Sequence, residues 1–67
     1  MKLTIDPDKH EYLFGMKFTA SDGTEYGTIF RIPTSQFSEE DAWELAHDYE
    51  DDFKKYIEAA IAREVQP

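Results

Sequence analysis

Tyr12-Leu13-Phe14-Gly15-Met16-Lys17-Phe18-Thr19-Ala20-Ser21-Asp22-Gly23-Thr24-Glu25-Tyr26-Gly27-Thr28-Ile29-Phe30-Arg31-Ile32-Pro33 is the stretch that decides the fold. Tyr12, Phe14, Met16 and Phe18 alternate with Leu13, Gly15, Lys17 and Thr19; after Ser21-Asp22-Gly23 the apolar positions resume at Tyr26, Thr28, Phe30 and Ile32. A period of two places successive side chains on opposite faces of a strand. Two such runs separated by Asp-Gly turn chemistry make an antiparallel hairpin with one aromatic face. Pro33 lacks the amide donor that would let the second strand continue.

The register follows from the same residues. A two-residue Asp22-Gly23 loop would set Phe18 opposite Gly27 and Phe14 opposite Arg31, mixing charge into the apolar face. A three-residue loop, Ser21-Asp22-Gly23, sets Phe18 opposite Tyr26 and Phe14 opposite Phe30, with Gly23 at the left-handed position of a type I turn and G1 bulge. A buried face selects the register that keeps it apolar, so the three-residue loop is expected.

Working outward, Leu3 and Ile5 alternate with Lys2 and Thr4 as a short strand, and Asp6-Pro7-Asp8-Lys9-His10 supplies a turn in which Asp accepts local backbone hydrogen bonds. On the other side, Ser38 is an N-cap, with Glu39, Glu40 and Asp41 in the electropositive first turn and Asp41 at the third position of a capping box. Ala42, Leu45, Ala46, Tyr49, Phe53, Tyr56, Ile57 and Ala60 recur at spacings of three and four, which predicts a helix to about Arg63, fraying before Pro67. The expected fold is α+β: a three-stranded antiparallel β-meander, strand order 1-2-3, with one C-terminal α-helix laid on its aromatic face (β-β-β-α), residues 1–67 forming one acidic domain.

With 67 residues only one domain is sensible, and a domain of this size buries roughly 60% of the surface its unfolded chain exposes. Its five Phe, four Tyr and one Trp argue against disorder. There is no Cys, whereas small secreted domains usually carry disulfides, and no apolar run approaches the ~20 residues of a membrane span. No signal-peptide core follows Met1. A cytoplasmic location is expected.

The charge is uneven. Residues 1–37 hold five acids and four bases, a balance of −1, whereas residues 38–67 hold ten acids and three bases, a balance of −7. Direct binding to nucleic acid or to an anionic membrane is disfavoured. Between Glu39 and Asp52 stand eight acids (Glu39, Glu40, Asp41, Glu44, Asp48, Glu50, Asp51 and Asp52) and no Lys or Arg. On a helix these fourteen residues span ~21 Å, one charge per roughly 2.6 Å. Duplex DNA carries one per ~1.7 Å of axis. The macrodipole accounts for Glu39 to Asp41, Lys54 and Lys55 can pair with Glu50 and Asp51 at i,i+4, and surface charge aids solubility. Together these account poorly for Glu44 to Asp52, where like charges at i,i+4 such as Glu44/Asp48 and Asp48/Asp52 oppose folding by a few tenths of a kcal/mol per pair.

The chain resembles, in size, charge and design, the small acidic proteins encoded by phages and other mobile elements. Those inhibit CRISPR effectors, restriction or repair enzymes, or transcription factors as DNA mimics. The resemblance implies an anti-CRISPR-like or related inhibitor acting in the host cytoplasm on a basic nucleic-acid-binding protein. Glu40, Asp41, Glu44, Asp48, Asp51 and Asp52 would make the electrostatic contacts. Trp43 lies about 90° from the centre of the apolar stripe at ~100° per residue, where it either covers the sheet edge or joins the acids as a hot spot.

Other chemistry is sparse. Glu44-x-x-His47 has the spacing of half a di-metal carboxylate site, but a second helix to complete it is not predicted; a solvated His47 near Asp51 is the plainer reading. No nucleophile triad, finger spacing or phosphate loop occurs, and an exposed ridge offers no desolvation to tune a general acid. No enzyme activity, cofactor or metal is expected. The alternative function is an accessory or structural module that forms a homodimer or fixed complex through Leu13 and Ile29 on the outer sheet face, rimmed by Lys17 and Arg31. With only Lys2, Lys17 and Arg31 on that face, groove binding of DNA by the sheet is discounted.

Overall fold

Phe14 stands opposite Phe30 and Phe18 opposite Tyr26, the register of the three-residue loop. The computed structural model describes residues 1–65. It comprises β1 (Lys2–Asp6), β2 (Glu11–Thr19), β3 (Glu25–Pro33) and α1 (Glu39–Val65). The three strands form one antiparallel sheet in the order β1-β2-β3. The hairpin tip closes with Gly23 N–H donating to the Ala20 carbonyl (3.0 Å) and Ala20 N–H to the Thr24 carbonyl (2.9 Å). Gly23 has φ of 83°, the left-handed conformation that a Cβ disfavours. Asp22 Oδ1 accepts the Thr24 N–H (2.9 Å) and steadies the bend.

The β1–β2 turn uses Asp6 as expected: its Oδ1 accepts N–H groups of Asp8 (3.0 Å) and Lys9 (3.2 Å). His10 ends that turn with φ of 54°, unusual for a residue other than glycine. Its carbonyl accepts from Thr34 through both N–H (2.8 Å) and Oγ–H (3.1 Å), tying the turn to the connection that leads into α1.

Ser38 Oγ accepts the Asp41 N–H (3.1 Å), so α1 starts where its sequence signature places it. It continues to Val65, two residues past the expected end; the fraying expected before Pro67 lies outside the described residues. The helix runs beside the β2–β3 hairpin from base to tip: Trp43 meets Phe14, Tyr49 stacks on Phe30, and Phe53 meets Phe18 edge-on. The result is a rod of 47 × 16 × 15 Å.

The helix does not present the face that hydrophobicity alone selects. Ala42 and Ala46 are fully buried against Phe14, Met16 and Ile32. Leu45, Tyr49 and Tyr56, expected in the packed stripe, are exposed, Tyr56 to 68%. Trp43, expected off the stripe, is half-buried against the core cluster. The packed face is therefore turned by roughly 60° toward Trp43 and Ile61, at ~100° per residue. Volume explains the turn. The sheet supplies large side chains, so the helix comes closest through alanines, and its larger rings flank the line of closest approach.

Candidate partner-binding surface

Turning α1 toward Trp43 leaves the acidic arc outside. Glu40, Asp41, Glu44, Asp48, Asp51 and Asp52 are all exposed. Glu40, Glu44, Asp48 and Asp52 follow one another at i,i+4, a row of about 18 Å with neighbours ~5–6 Å apart. Asp41 and Asp51 flank it. Among the described residues none of the six lies within ion-pair distance of a cation. Among the described residues the ion pairs are Lys54–Glu50 on the helix (3.9 Å), and Lys17–Glu25 (3.8 Å) and Arg31–Glu11 (3.5 Å) on the outer sheet face. Glu50 thus leaves the ridge for a half-buried position beside Lys54, and the expected Lys55–Asp51 pair does not form.

Trp43 is carried by the same helix but points elsewhere. Its ring meets Phe14 edge-on, centroids 5.0 Å apart and planes at 75°, and His47 packs on it at 5.8 Å. It covers the sheet rather than standing among the acids. His47 is exposed, with Trp43 against its ring and no ion pair to Asp51 among the described residues, and Glu44 and His47 gain no third ligand: no group of three His, Cys, Asp or Glu side chains that could hold a metal ion gathers among the described residues. Nor is any described helix long and apolar enough to cross a membrane.

One acid of the second half has a structural task that spacing along the chain does not reveal. Glu58 clamps the hairpin tip, its Oε1 accepting Ser21 N–H (2.8 Å) and its Oε2 accepting Ser21 Oγ–H (2.6 Å). Beside it, Tyr26 Oη donates to Asp22 Oδ2 (3.2 Å). The Asp22 carboxyl is lowered from its ordinary pKa chiefly by the Thr24 N–H, and the Tyr26 phenol is raised chiefly by desolvation and then by the Asp22 hydrogen bond.

A second exposed feature borders the ridge. Tyr49, Asp52, Phe53 and Tyr56 line a notch of about 400 Å³. The sequence pattern does not single it out, because the three- and four-residue spacing places Tyr49, Phe53 and Tyr56 in the packed stripe. On the opposite side of the molecule, Ile29 is 56% exposed. Gly15 and Gly27 leave an open groove of about 870 Å³ there, between Met1, Lys2, Lys17 and Ile29. Leu13 pairs with Arg31, so it lies diagonal to Ile29 rather than opposite it. Comparison of the chain with models of protein families, with curated proteins and with solved structures finds no match.

Proposed function

We propose that this protein is a non-enzymatic, cytoplasmic inhibitor, encoded by a phage or another mobile element, that occupies the basic groove of a nucleic-acid-binding protein as a nucleic-acid mimic. The observation that carries the reading is the row Glu40, Glu44, Asp48 and Asp52, flanked by Asp41 and Asp51, exposed and without counter-cations among the described residues. Carboxylates at this spacing repel one another in water, and a cationic surface relieves the repulsion. A stiff helix also holds them in place before contact, so little conformational freedom is lost on binding. The partner classes are CRISPR effectors, restriction or repair enzymes, and transcription factors.

The test is capture from host lysate on immobilised protein at low and high salt, followed by displacement with a short DNA duplex. The expected captured protein elutes with salt and with DNA, because both act on the same charges. The double reversal Glu44→Lys, Asp48→Lys should abolish capture; unchanged capture by that variant, or tight binding of the wild type to DNA itself, sinks the reading.

The exposure of Ile29 favours a second reading, an accessory module that pairs through its outer sheet face with Leu13 and Ile29 at the contact. A dimer in solution that Leu13→Arg and Ile29→Lys dissociate supports it; a monomer at all concentrations removes it.

A further inference from the structure

Phe30 and Tyr49 stack with ring centroids 4.5 Å apart and planes within 18°; Tyr49 and Phe53 are parallel to within 5°, their centroids 6.5 Å apart. One turn on, Tyr56 stands largely in solvent, and Asp52 reaches the same notch from between them. Residues 49, 52, 53 and 56 follow the i, i+3, i+4, i+7 spacing of one helix face. Asp48, one turn before Asp52, adds a second exposed carboxylate at the border. Lys55, three residues beyond Asp52, makes no ion pair with it among the described residues.

An apolar side chain in this notch would strip water from Asp52 without replacing its hydrogen bonds. An anion would meet the most negative part of the chain. An ammonium would satisfy the carboxylate but surrenders its strong hydration poorly against ring carbons. A guanidinium matches every wall: it is planar, weakly hydrated, stacks on aromatic faces and gives a carboxylate two parallel hydrogen bonds. We infer that the Tyr49–Asp52–Phe53–Tyr56 notch is a socket for an arginine side chain of the partner, stacked on the tyrosines and paired with Asp52. The inference rests on the proposed reading for the partner's positive charge and names the side chain that anchors it.

The test uses the full chain and two probes, a capped peptide alternating glycine with arginine and its lysine counterpart, titrated while NMR signals of the tyrosine rings and of the helix backbone are followed. The arginine peptide should shift the Tyr49 and Tyr56 rings saturably and bind several-fold more tightly than the lysine peptide. Asp52→Asn and Tyr56→Ala should each weaken it roughly fivefold, with the Phe14 ring signals unchanged because neither residue is in the core. If both peptides bind equally and shift only Glu44, Asp48 and Asp51, the socket is wrong and the ridge reading stands. Failure of both peptides to bind with salt dependence ends both readings. Ring shifts that grow with protein concentration alone place a second copy in the notch and overturn the inference.

Discussion

Trp43 meets Phe14 edge-on with ring centroids 5.0 Å apart, and this contact joins the start of the helix to the middle strand. Phe14 is fully buried, while Trp43 is half-buried. Truncating a buried Phe to Ala costs about 3–5 kcal/mol, as much as the ~3–5 kcal/mol that one core supplies in so small a domain. Phe14→Ala should therefore unfold the protein. Trp43→Ala should cost about 1–2 kcal/mol, and a double-mutant cycle with Phe14→Leu should give a coupling of about 0.5–1.5 kcal/mol. Urea denaturation followed by far-UV circular dichroism reads each value. A loss below about 0.5 kcal/mol for Trp43→Ala would show that the indole does not hold the sheet.

The hairpin was legible because only one loop length keeps Arg31 off the face that carries Phe14, and the helix start because Ser38 precedes three acids. The orientation of the helix was not. Side-chain area favours burying Leu45 and Tyr56 over Ala42 and Ala46, whereas close approach to a sheet already filled by Phe14, Met16 and Ile32 selects the smallest side chains. Of the two readings the spacing leaves for Trp43, its contact with Phe14 selects the sheet cover. The six acids remain exposed with the helix turned this way. Glu58 looked like any solvated carboxylate, since its partner lies 37 residues away. His10 is only a weak sign of its left-handed backbone, which a glycine would have signalled strongly.

The Glu58 clamp predicts a local effect larger than its global one. Both carboxylate oxygens hold Ser21, at 2.8 and 2.6 Å. Charge-assisted hydrogen bonds are strong, but this pair borders solvent, so Glu58→Ala should cost about 1 kcal/mol. The sharper readout is hydrogen exchange: the Ser21 amide should lose most of its protection, while amides of β2 near Phe14 keep theirs. Ser21→Ala removes only the hydroxyl bond and should do less. Equal Ser21 exchange in wild type and Glu58→Ala would mean that the clamp is not closed in solution.

Asp22 and Tyr26 predict two limbs of pH dependence at the hairpin tip. Asp22 titrates below its ordinary value, held there first by the Thr24 N–H. Its stabilising contribution is present above the unfolded pKa and is lost as pH falls through the lower folded one, on the acid limb below about pH 4. Tyr26 titrates above its ordinary value, so its contribution is present below the unfolded pKa, about 10, and is lost as pH rises through the folded one. Asp22→Asn should lower the Tyr26 pKa only part of the way, because desolvation, the larger cause, remains. Ultraviolet titration of the phenolate, with Tyr26→Phe as reference, measures it. A Tyr26 titration that Asp22→Asn leaves unmoved would show that the two side chains are not coupled.

Asp48 has Glu44 four residues before it and Asp52 four residues after it, all three exposed and none in an ion pair among the described residues. Two like-charge neighbours at i,i+4 each oppose the helix by about 0.2–0.5 kcal/mol, and opposite charges favour it by as much. Asp48→Lys converts both neighbours at once, so it should stabilise the domain by about 1 kcal/mol at low salt. The gain should shrink toward zero in ~1 M salt, where the screening length falls to ~3 Å. Asp48 lies beyond the first turn, so little macrodipole stabilisation is lost with its charge. Urea denaturation at two salt concentrations reads the effect. The same variant should bind the captured partner more weakly, because the charge that strains the free helix is the one a cationic groove would receive. Greater stability together with weaker capture is what a ridge kept for binding requires. A variant that is no more stable than wild type at low salt would mean that these carboxylates do not repel one another enough to need a partner.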